Sequence, residues 1–148
     1  MRQRKKGFTL IEIMIVVAIV ATLLVLSFSS MLRARLNANE TSAIAGCRAI
    51  STGGQNYYGG SSPHTYPPDL STLTTPTSNP PYIDNVLASG TRQGYEFLYS
   101  MVDTEHFNLN ANPVSVGRTG SRYFFVNETG VVRANMSQPA SATDLAVE

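Results

Sequence analysis

Apolar residues dominate the first third of the chain, and their spacing predicts one long helix. From Phe8 to Leu26 the sequence offers 19 residues with a single charge, at Glu12. As a helix rising about 1.5 Å per residue, this stretch would span roughly 28 Å, close to the hydrocarbon thickness of a bilayer. Apolar residues then recur at three- and four-residue steps as far as Tyr57. The pattern therefore predicts a helix from Phe8 to about Tyr58, whose first half needs lipid or other subunits as cover.

Beyond this helix the pattern first becomes irregular and then alternates. Residues 59–93 are rich in Gly, Ser, Thr and Pro and predict a connecting region, with a helical turn near Ile83–Ala88. Alternating or aromatic segments follow, and strands are expected at Tyr95–Tyr99, His106–Leu109, Tyr123–Val126 and Val131–Arg133. Asn127–Gly130 is predicted to form the turn between the last two. The expected fold is α+β, with three or four antiparallel strands packed on the outer half of the helix.

Basic residues flank the apolar stretch unequally, and a glycine separates the larger group from it. The cations are Arg2, Arg4, Lys5 and Lys6 before the stretch, and Arg33 and Arg35 after it. This imbalance favours a cytoplasmic N-terminus. A carboxylate inside such a segment, here Glu12, costs several kcal/mol and indicates a partner and a function. The alternative is an ordinary secretory signal peptide cleaved near residues 27–29, but that interpretation leaves Glu12 without a reason.

The segment RQRKKGFTLIEIMIVVAIVATLL resembles the N-terminus of type IV pilins and of the pseudopilins of type II secretion. The resemblance covers roughly residues 3–31 and rests on the basic leader, Gly7-Phe8, Thr9-Leu10, Glu12 and the aliphatic span. In that family a prepilin peptidase cuts after the glycine and methylates the new N-terminal residue. The resemblance thus implies cleavage between Gly7 and Phe8, N-methylation of Phe8, and pairing of Glu12 with the Phe8 amine of a neighbouring subunit during assembly.

Six segments follow from these observations, within a type IV pilin-like fold. They are a leader at 1–7, a transmembrane and filament-core half-helix at 8–32, an amphipathic half-helix at 33–58, the connecting region at 59–93, the sheet at 94–136 and a flexible tail at 137–148. The resemblance implies a structural subunit that polymerises with itself as a helical homopolymer. Its implied partners are the prepilin peptidase, an inner-membrane assembly platform, and membrane lipid before assembly.

Charge and candidate chemistry change this interpretation little. Removal of the leader would leave seven arginines and no lysine against ten acidic residues, a formal charge near −3 that gives no strong nucleic-acid signal. His64 and His106 lack a nucleophile elbow, and no zinc, EF-hand or phosphate-loop spacing is present. Asp103, Glu105 and His106 could bind a metal, but a solvated connection is the simpler interpretation. We therefore expect no enzyme activity, cofactor or metal.

The single cysteine, Cys47, is expected in the core, with a reactive thiol as the alternative.

Two classes of filament fit the resemblance. A type IV pilus subunit is favoured because the C-terminal region carries only Asp144 and Glu148 near its end, whereas major pseudopilins often bind calcium in an acidic C-terminal loop. A pseudopilin of a type II secretion system is the alternative, as is a minor tip subunit that binds DNA or surfaces. The implied location is the bacterial inner membrane before assembly, and an extracellular pilus or periplasmic pseudopilus afterwards.

Overall fold

The structure, a computed structural model, describes residues 7–75 and 77–147, with the side chains of residues 26–29 left out. The first six residues of the expected leader, Pro76 and Glu148 lie outside the described residues. The chain divides into two compact units, Met1–Ala34 and Arg35–Glu148. One helix, α1, runs from Leu10 to Gly60 and contributes residues to both units.

The first unit consists of the apolar part of α1. None of its described side chains is buried, and the large apolar ones range from 46% exposed at Leu32 to 81% exposed at Phe8. Thr22, the one polar residue in the middle of this stretch, donates its hydroxyl to the Ala18 carbonyl at 2.9 Å and so adds no unpaired polar group. The helix predicted from the apolar run is therefore present, without cover from the rest of its own unit.

In the second unit α1 carries the predicted apolar stripe. Ala43, Cys47 and Ile50 are buried on it, and the helix ends at Gly60, close to the predicted Tyr58. The Cys47 thiol is buried in the core, as predicted. Burial raises its pKa to about 12, so the thiol is unreactive. Glu40 lies on the same face, three residues before Ala43. It is only 5% exposed although it is charged, because Ser121 and Arg122 donate hydrogen bonds to its carboxylate.

The second unit also contains one six-stranded antiparallel sheet. Its strands are β1 (Thr91–Arg92), β2 (Tyr95–Met101), β3 (Phe107–Pro113), β4 (Tyr123–Asn127), β5 (Arg133–Asn135) and β6 (Leu145–Ala146), and their order in the sheet is their order in the chain. The α+β class with a long N-terminal helix is confirmed. The sheet has six strands rather than three or four because two-residue strands, too short to leave an alternating pattern, pair at both edges.

The face of the sheet that packs on α1 is aromatic. Register places Phe97 opposite Ala111, and Ala111 opposite Phe124, so these side chains share one face. The residues buried on this face are Tyr95, Phe97, Phe107, Leu109, Ala111, Phe124 and Val126. Gly46 on α1 faces the Phe97 ring, and a Cβ there would lie 2.7 Å from that ring. The helix can approach the sheet closely because position 46 has no side chain.

The connecting region folds around two short capped helices. A 3₁₀ helix spans Leu70–Leu73, and the Asp69 carboxylate caps it by accepting a hydrogen bond from the Thr72 amide at 2.9 Å. Helix α2 spans Asn85–Ala88, where a helical turn was predicted, and its first turn is capped in the same way by Asp84. Their leucines at 70, 73 and 87 are buried in the core. The region therefore covers one side of the helix–sheet core.

The C-terminal segment was expected to be a flexible tail, and the structure differs from this expectation. Strand β6 pairs with β5, and Ala140 is buried beside Asn110, whose side-chain amide donates to the Ala140 carbonyl at 2.8 Å. The Asp144 carboxylate accepts hydrogen bonds from Asn135 and from the Ser141 amide. These bonds hold small polar residues in place without an apolar pattern, which is why the pattern alone predicted fraying.

Candidate functional site: the start of the apolar helix

The expected cleavage position lies just before the helix begins. Gly7, Phe8 and Thr9 have no regular secondary structure, and α1 starts at Leu10. A side-chain carbon placed on Gly7 would meet nothing within 4 Å, and Phe8 is largely exposed. The peptide bond between Gly7 and Phe8 is therefore on an accessible, non-helical segment, which a peptidase can bind in extended form.

Glu12 takes part in a capping box with Thr9 at the start of α1. The Thr9 amide and hydroxyl both donate to Glu12 Oε2 at 3.3 Å, and the Glu12 amide donates to Thr9 Oγ1 at 3.3 Å. This reciprocal arrangement satisfies donors that a helix start leaves without a partner. The sequence contains the signal for it, a threonine followed three residues later by a glutamate. The expectation that Glu12 pairs with the Phe8 amine of a neighbouring subunit does not include this bond to Thr9.

This capping box lowers the energetic cost of the Glu12 carboxylate at the start of an apolar helix. Glu12 lies in the first turn, where the positive end of the helix dipole stabilises negative charge. Its Oε2 also accepts hydrogen bonds from the Thr9 amide and hydroxyl within the same chain. The energetic penalty of placing Glu12 in an apolar environment is therefore reduced before any neighbouring subunit is present.

The helix that follows is long and apolar enough to cross a membrane. By length and composition α1 is the one such helix in the described part of the chain, with a mean hydropathy of 2.8 over its most apolar window and none of that window buried. A signal sequence near an N-terminus meets the same criteria. The arrangement defines a class of proteins with an N-terminal apolar helix that fits membrane anchoring.

Comparison with known proteins narrows this class. Residues 2–28 match the family model described as the prokaryotic N-terminal methylation motif, of which residues 7–28 are described in the structure. This is the leader signature of type IV pilins and pseudopilins, so the recognition of that motif is confirmed. No curated protein and no solved structure matches the chain. The motif and the apolar helix together fit a type IV pilin-like or pseudopilin subunit.

The candidate catalytic and metal-binding residues have structural partners in the second unit. Asp103 accepts from the His106 ring at 2.8 Å and from the Glu105 amide at 2.8 Å, which closes the turn between β2 and β3. His64 stacks on Tyr58 and contacts its carbonyl through Nδ1. Among the residues that the structure describes, no three His, Cys, Asp or Glu side chains are placed to hold a metal ion.

An open groove of about 670 Å³ lies beside β5 and β6. Its charged groups are Arg122 and Asp144, and both are already bonded within the unit. Arg122 Nε donates to Glu40 Oε2 at 2.7 Å, while the Ser121 amide donates to Glu40 Oε1 at 2.8 Å. Glu40 thereby ties α1 to the loop before β4. No sequence signal links these residues, because they lie about 80 positions apart.

Proposed function

We propose that the protein is the structural subunit of a type IV pilus-like helical filament. In this proposal the prepilin peptidase cleaves between Gly7 and Phe8 in the inner membrane and N-methylates Phe8. An assembly platform then moves the apolar helix from lipid into the filament core. The observation that carries the proposal is the N-terminal methylation motif on a helix whose apolar side chains have no cover in their own unit.

Polymerisation gives those side chains an environment that replaces lipid. An exposed apolar surface of this extent marks a membrane or protein contact. Packing of α1 against the same helix in neighbouring copies would bury the surface repeatedly along a filament. Many equivalent contacts per subunit then provide strength without any single tight site. The chain's second unit, with a core of its own, would remain folded during the transfer.

Glu12 would set the stagger between neighbouring copies. Cleavage creates a cationic amine on Phe8, and Glu12 follows it by four residues. We propose that the Glu12 carboxylate exchanges part of its bonding to Thr9 for the Phe8 amine of a neighbour. A buried ion pair adds little net stability over apolar packing, but a missing partner leaves an uncompensated charge. The pair is therefore expected to specify register more than strength.

The same motif also fits a pseudopilin of a type II secretion system, because the leader signature is common to both classes. Gene neighbourhood separates the two: a retraction ATPase supports a pilus, and secretin-associated secretion genes support a pseudopilus. A minor tip subunit that binds DNA or surfaces would share the N-terminus but would be scarce in sheared filaments.

The proposal is tested by processing and assembly in the native host. We expect the wild-type mature chain to begin at N-methylated Phe8, as measured by mass spectrometry, and to be abundant in sheared filaments seen by electron microscopy. Glu12→Val should be processed and reach the membrane, yet its filament yield should fall by at least about tenfold, since an uncompensated amine would remain in the core. Glu96→Val, which removes an exposed carboxylate from β2, is the matched control and should assemble normally.

A mature chain that begins near Ser30 would overturn this function, because it would indicate an ordinary signal peptide. Wild-type filament yield from Glu12→Val would instead overturn the proposed role of Glu12 in register and leave the subunit function standing.

A further inference from the structure

The turns of the sheet lie alternately at two opposite ends of the second unit. Because the six strands follow chain order and all pairs are antiparallel, successive connections alternate between these ends. Contacts with α1 identify each end. The Asn39 side chain donates to the Thr119 carbonyl at 2.9 Å, and the Gln55 side chain donates to the Glu128 carbonyl at 3.2 Å. The β3–β4 loop thus lies beside the first turns of the unit's helix, and the β4–β5 turn beside its last turns.

Positive charge and exposed valines mark the first of these ends, which we call the basic end: Arg35, Val114, Val116 and Arg118. Both arginines are exposed, and neither takes part in an ion pair among the described residues. Val114 is 64% exposed and Val116 is 58% exposed, although both lie in a loop that packs on the helix. The nearest exposed acid along β2 is Glu96, opposite Asn112 on the sheet face turned away from α1. This end therefore combines exposed valines with two arginines that form no ion pair among the described residues. The Asp144 carboxylate of the β5–β6 connection also belongs to this end, where it accepts hydrogen bonds from Asn135 and Ser141.

Negative charge and one exposed valine mark the opposite end, which we call the acidic end: Val102, Asp103, Glu105 and Glu128. Val102 is 59% exposed at the tip of the β2–β3 turn. Asp103 is engaged by His106, whereas Glu105 and Glu128 form no ion pair in the part of the chain that the structure describes. The Gln55 contact places Glu128 at the same end of α1. An exposed valine thus lies among negative charges.

We propose that the basic end of one copy contacts the acidic end of the next copy in the assembled filament. The partner is a second copy of this chain, because both halves of the contact are on one unit and complement each other in charge and in exposed apolar surface. A contact between two different surfaces of identical subunits propagates head to tail and generates rings or filaments. An anionic lipid surface would attract the basic end only and would leave the acidic end, with its own exposed valine, without a partner.

This inference rests on the proposed filament function and names the surfaces by which the second units meet. Each charged contact at an exposed interface is weak, and it acts chiefly on orientation and partner choice. Repetition along a filament multiplies the effect. The prediction is therefore a change in assembly, with unchanged folding of the isolated subunit.

Charge exchange tests the proposal in the full chain. We expect Arg118→Glu or Glu105→Arg alone to reduce the yield of sheared filaments by about tenfold, because like charges then oppose each other at every contact. The double variant Arg118→Glu/Glu105→Arg should restore the yield to near wild type. Arg48→Glu reverses an exposed charge on α1 between the two ends and should leave the yield unchanged. Failure of the double variant to recover, with normal levels of processed subunit, would overturn the contact.

Disulfide trapping gives an independent result. Oxidation of filaments that carry both Val102→Cys and Val116→Cys should produce a ladder of covalent oligomers, whereas each single variant should remain monomeric. The native Cys47 can stay in place because it is fully buried. Intact filaments without a ladder would overturn this inference alone and leave the proposed function standing. Absence of wild-type filaments, by contrast, would overturn the proposed function itself.

Discussion

One helix serves two regions of this protein, and the regions differ in what surrounds it. Within Met1–Ala34 the apolar side chains of α1 that the structure describes are exposed, and Val25 is 76% accessible. Within Arg35–Glu148 the same helix buries Ala43, Cys47 and Ile50 completely against a sheet of its own chain. Both regions are helical throughout, so secondary structure alone does not distinguish them, and the difference lies in how the apolar residues are distributed around the helix. The first region is apolar all round, whereas the second has an apolar stripe and a polar face.

The comparison teaches that cover for an apolar helix can come from within the chain or from outside it. The second region has its cover built in, so its stability depends on packing and on the bonds of Glu40. Under the proposed function the first region is covered by lipid or by other copies, so its state should change with assembly. Substitutions in the second region should accordingly alter unfolding while leaving processing at Gly7-Phe8 intact.

The largest effect is expected for Gly120→Ala. A Cβ on this buried glycine would overlap the hydroxyl and ring of Tyr95, which is itself fully buried and donates to the Arg122 carbonyl at 2.8 Å. Relief of the overlap must displace a core aromatic, so we expect the free energy of unfolding to fall by about 2–3 kcal/mol. Denaturant unfolding of the detergent-solubilised chain measures it. The control is Gly59→Ala, where nothing lies within 4 Å; equal stability of the two variants would contradict the expectation.

A smaller loss is expected for Glu40→Gln. The amide can still accept from the Ser121 amide, but it no longer neutralises Arg122. Since Arg122 retains about a third of its exposure (34%), solvent screening limits the loss to about 1–2 kcal/mol. Asp84→Asn breaks an exposed pair with Arg92 and keeps a capping side chain, so it should change stability by less than about 0.5 kcal/mol. If both variants lost the same stability, the bonds from Glu40 to Ser121 and Arg122 would contribute no more than an exposed ion pair.

The smallest effect concerns the exposed Asp103–His106 pair. The hydrogen bond to Asp103 raises the pKa of His106 above its usual 6.5, and bonds from the Glu105 amide and from His106 lower the pKa of Asp103. The contribution from His106 is complete below pH 6.5 and is lost as the pH rises through the raised pKa; the contribution from Asp103 is lost as the pH falls through its lowered pKa. We expect Asp103→Asn to return the His106 pKa towards 6.5, as followed by NMR titration, with processing unchanged. If the His106 pKa in this variant were the same as in the wild type, the pair would not form in solution.

The main elements of the fold could be predicted from local pattern, because each has a periodicity of its own. The helix, which ends close to the predicted Tyr58, and strands β2 to β4 carry enough residues to show it. The strand predicted at Val131–Arg133 is displaced to Arg133–Asn135, because three residues carry too little of a period to fix its bounds. The turn at Asn127–Gly130 was predicted correctly, since Gly130 takes a positive φ of 73° and donates to the Asn127 carbonyl. Strands β1 and β6 could not be predicted, because two residues carry no period and their pairing depends on neighbours already in place.

The candidate site could be predicted only in part, and the two misses differ in kind. The motif at Gly7-Phe8 and the single charge of the apolar segment, Glu12, are visible in the sequence. The Thr9–Glu12 capping box is also visible there, as a threonine followed three residues later by a glutamate, but it was not predicted. The burial of Glu40 is different. It depends on Ser121 and Arg122, which the fold brings to α1 from about 80 residues away. Its spacing, three residues before Ala43 and seven before Cys47, places Glu40 on the buried face of α1, but its charge predicts exposure and the sequence does not reveal the partners that compensate it.

The chain-ordered sheet also has a consequence for how the second unit forms. Each strand pairs with the strand synthesised just before it, so the sheet can grow one hairpin at a time with little loop-closure entropy to overcome at each step. The bonds that join α1 to the β3–β4 loop, at Asn39 and Glu40, instead bridge 80 to 82 positions. We expect the sheet to be assembled largely by local steps and the helix to dock late. The helix present first in the growing chain is thus the last element to find its partner.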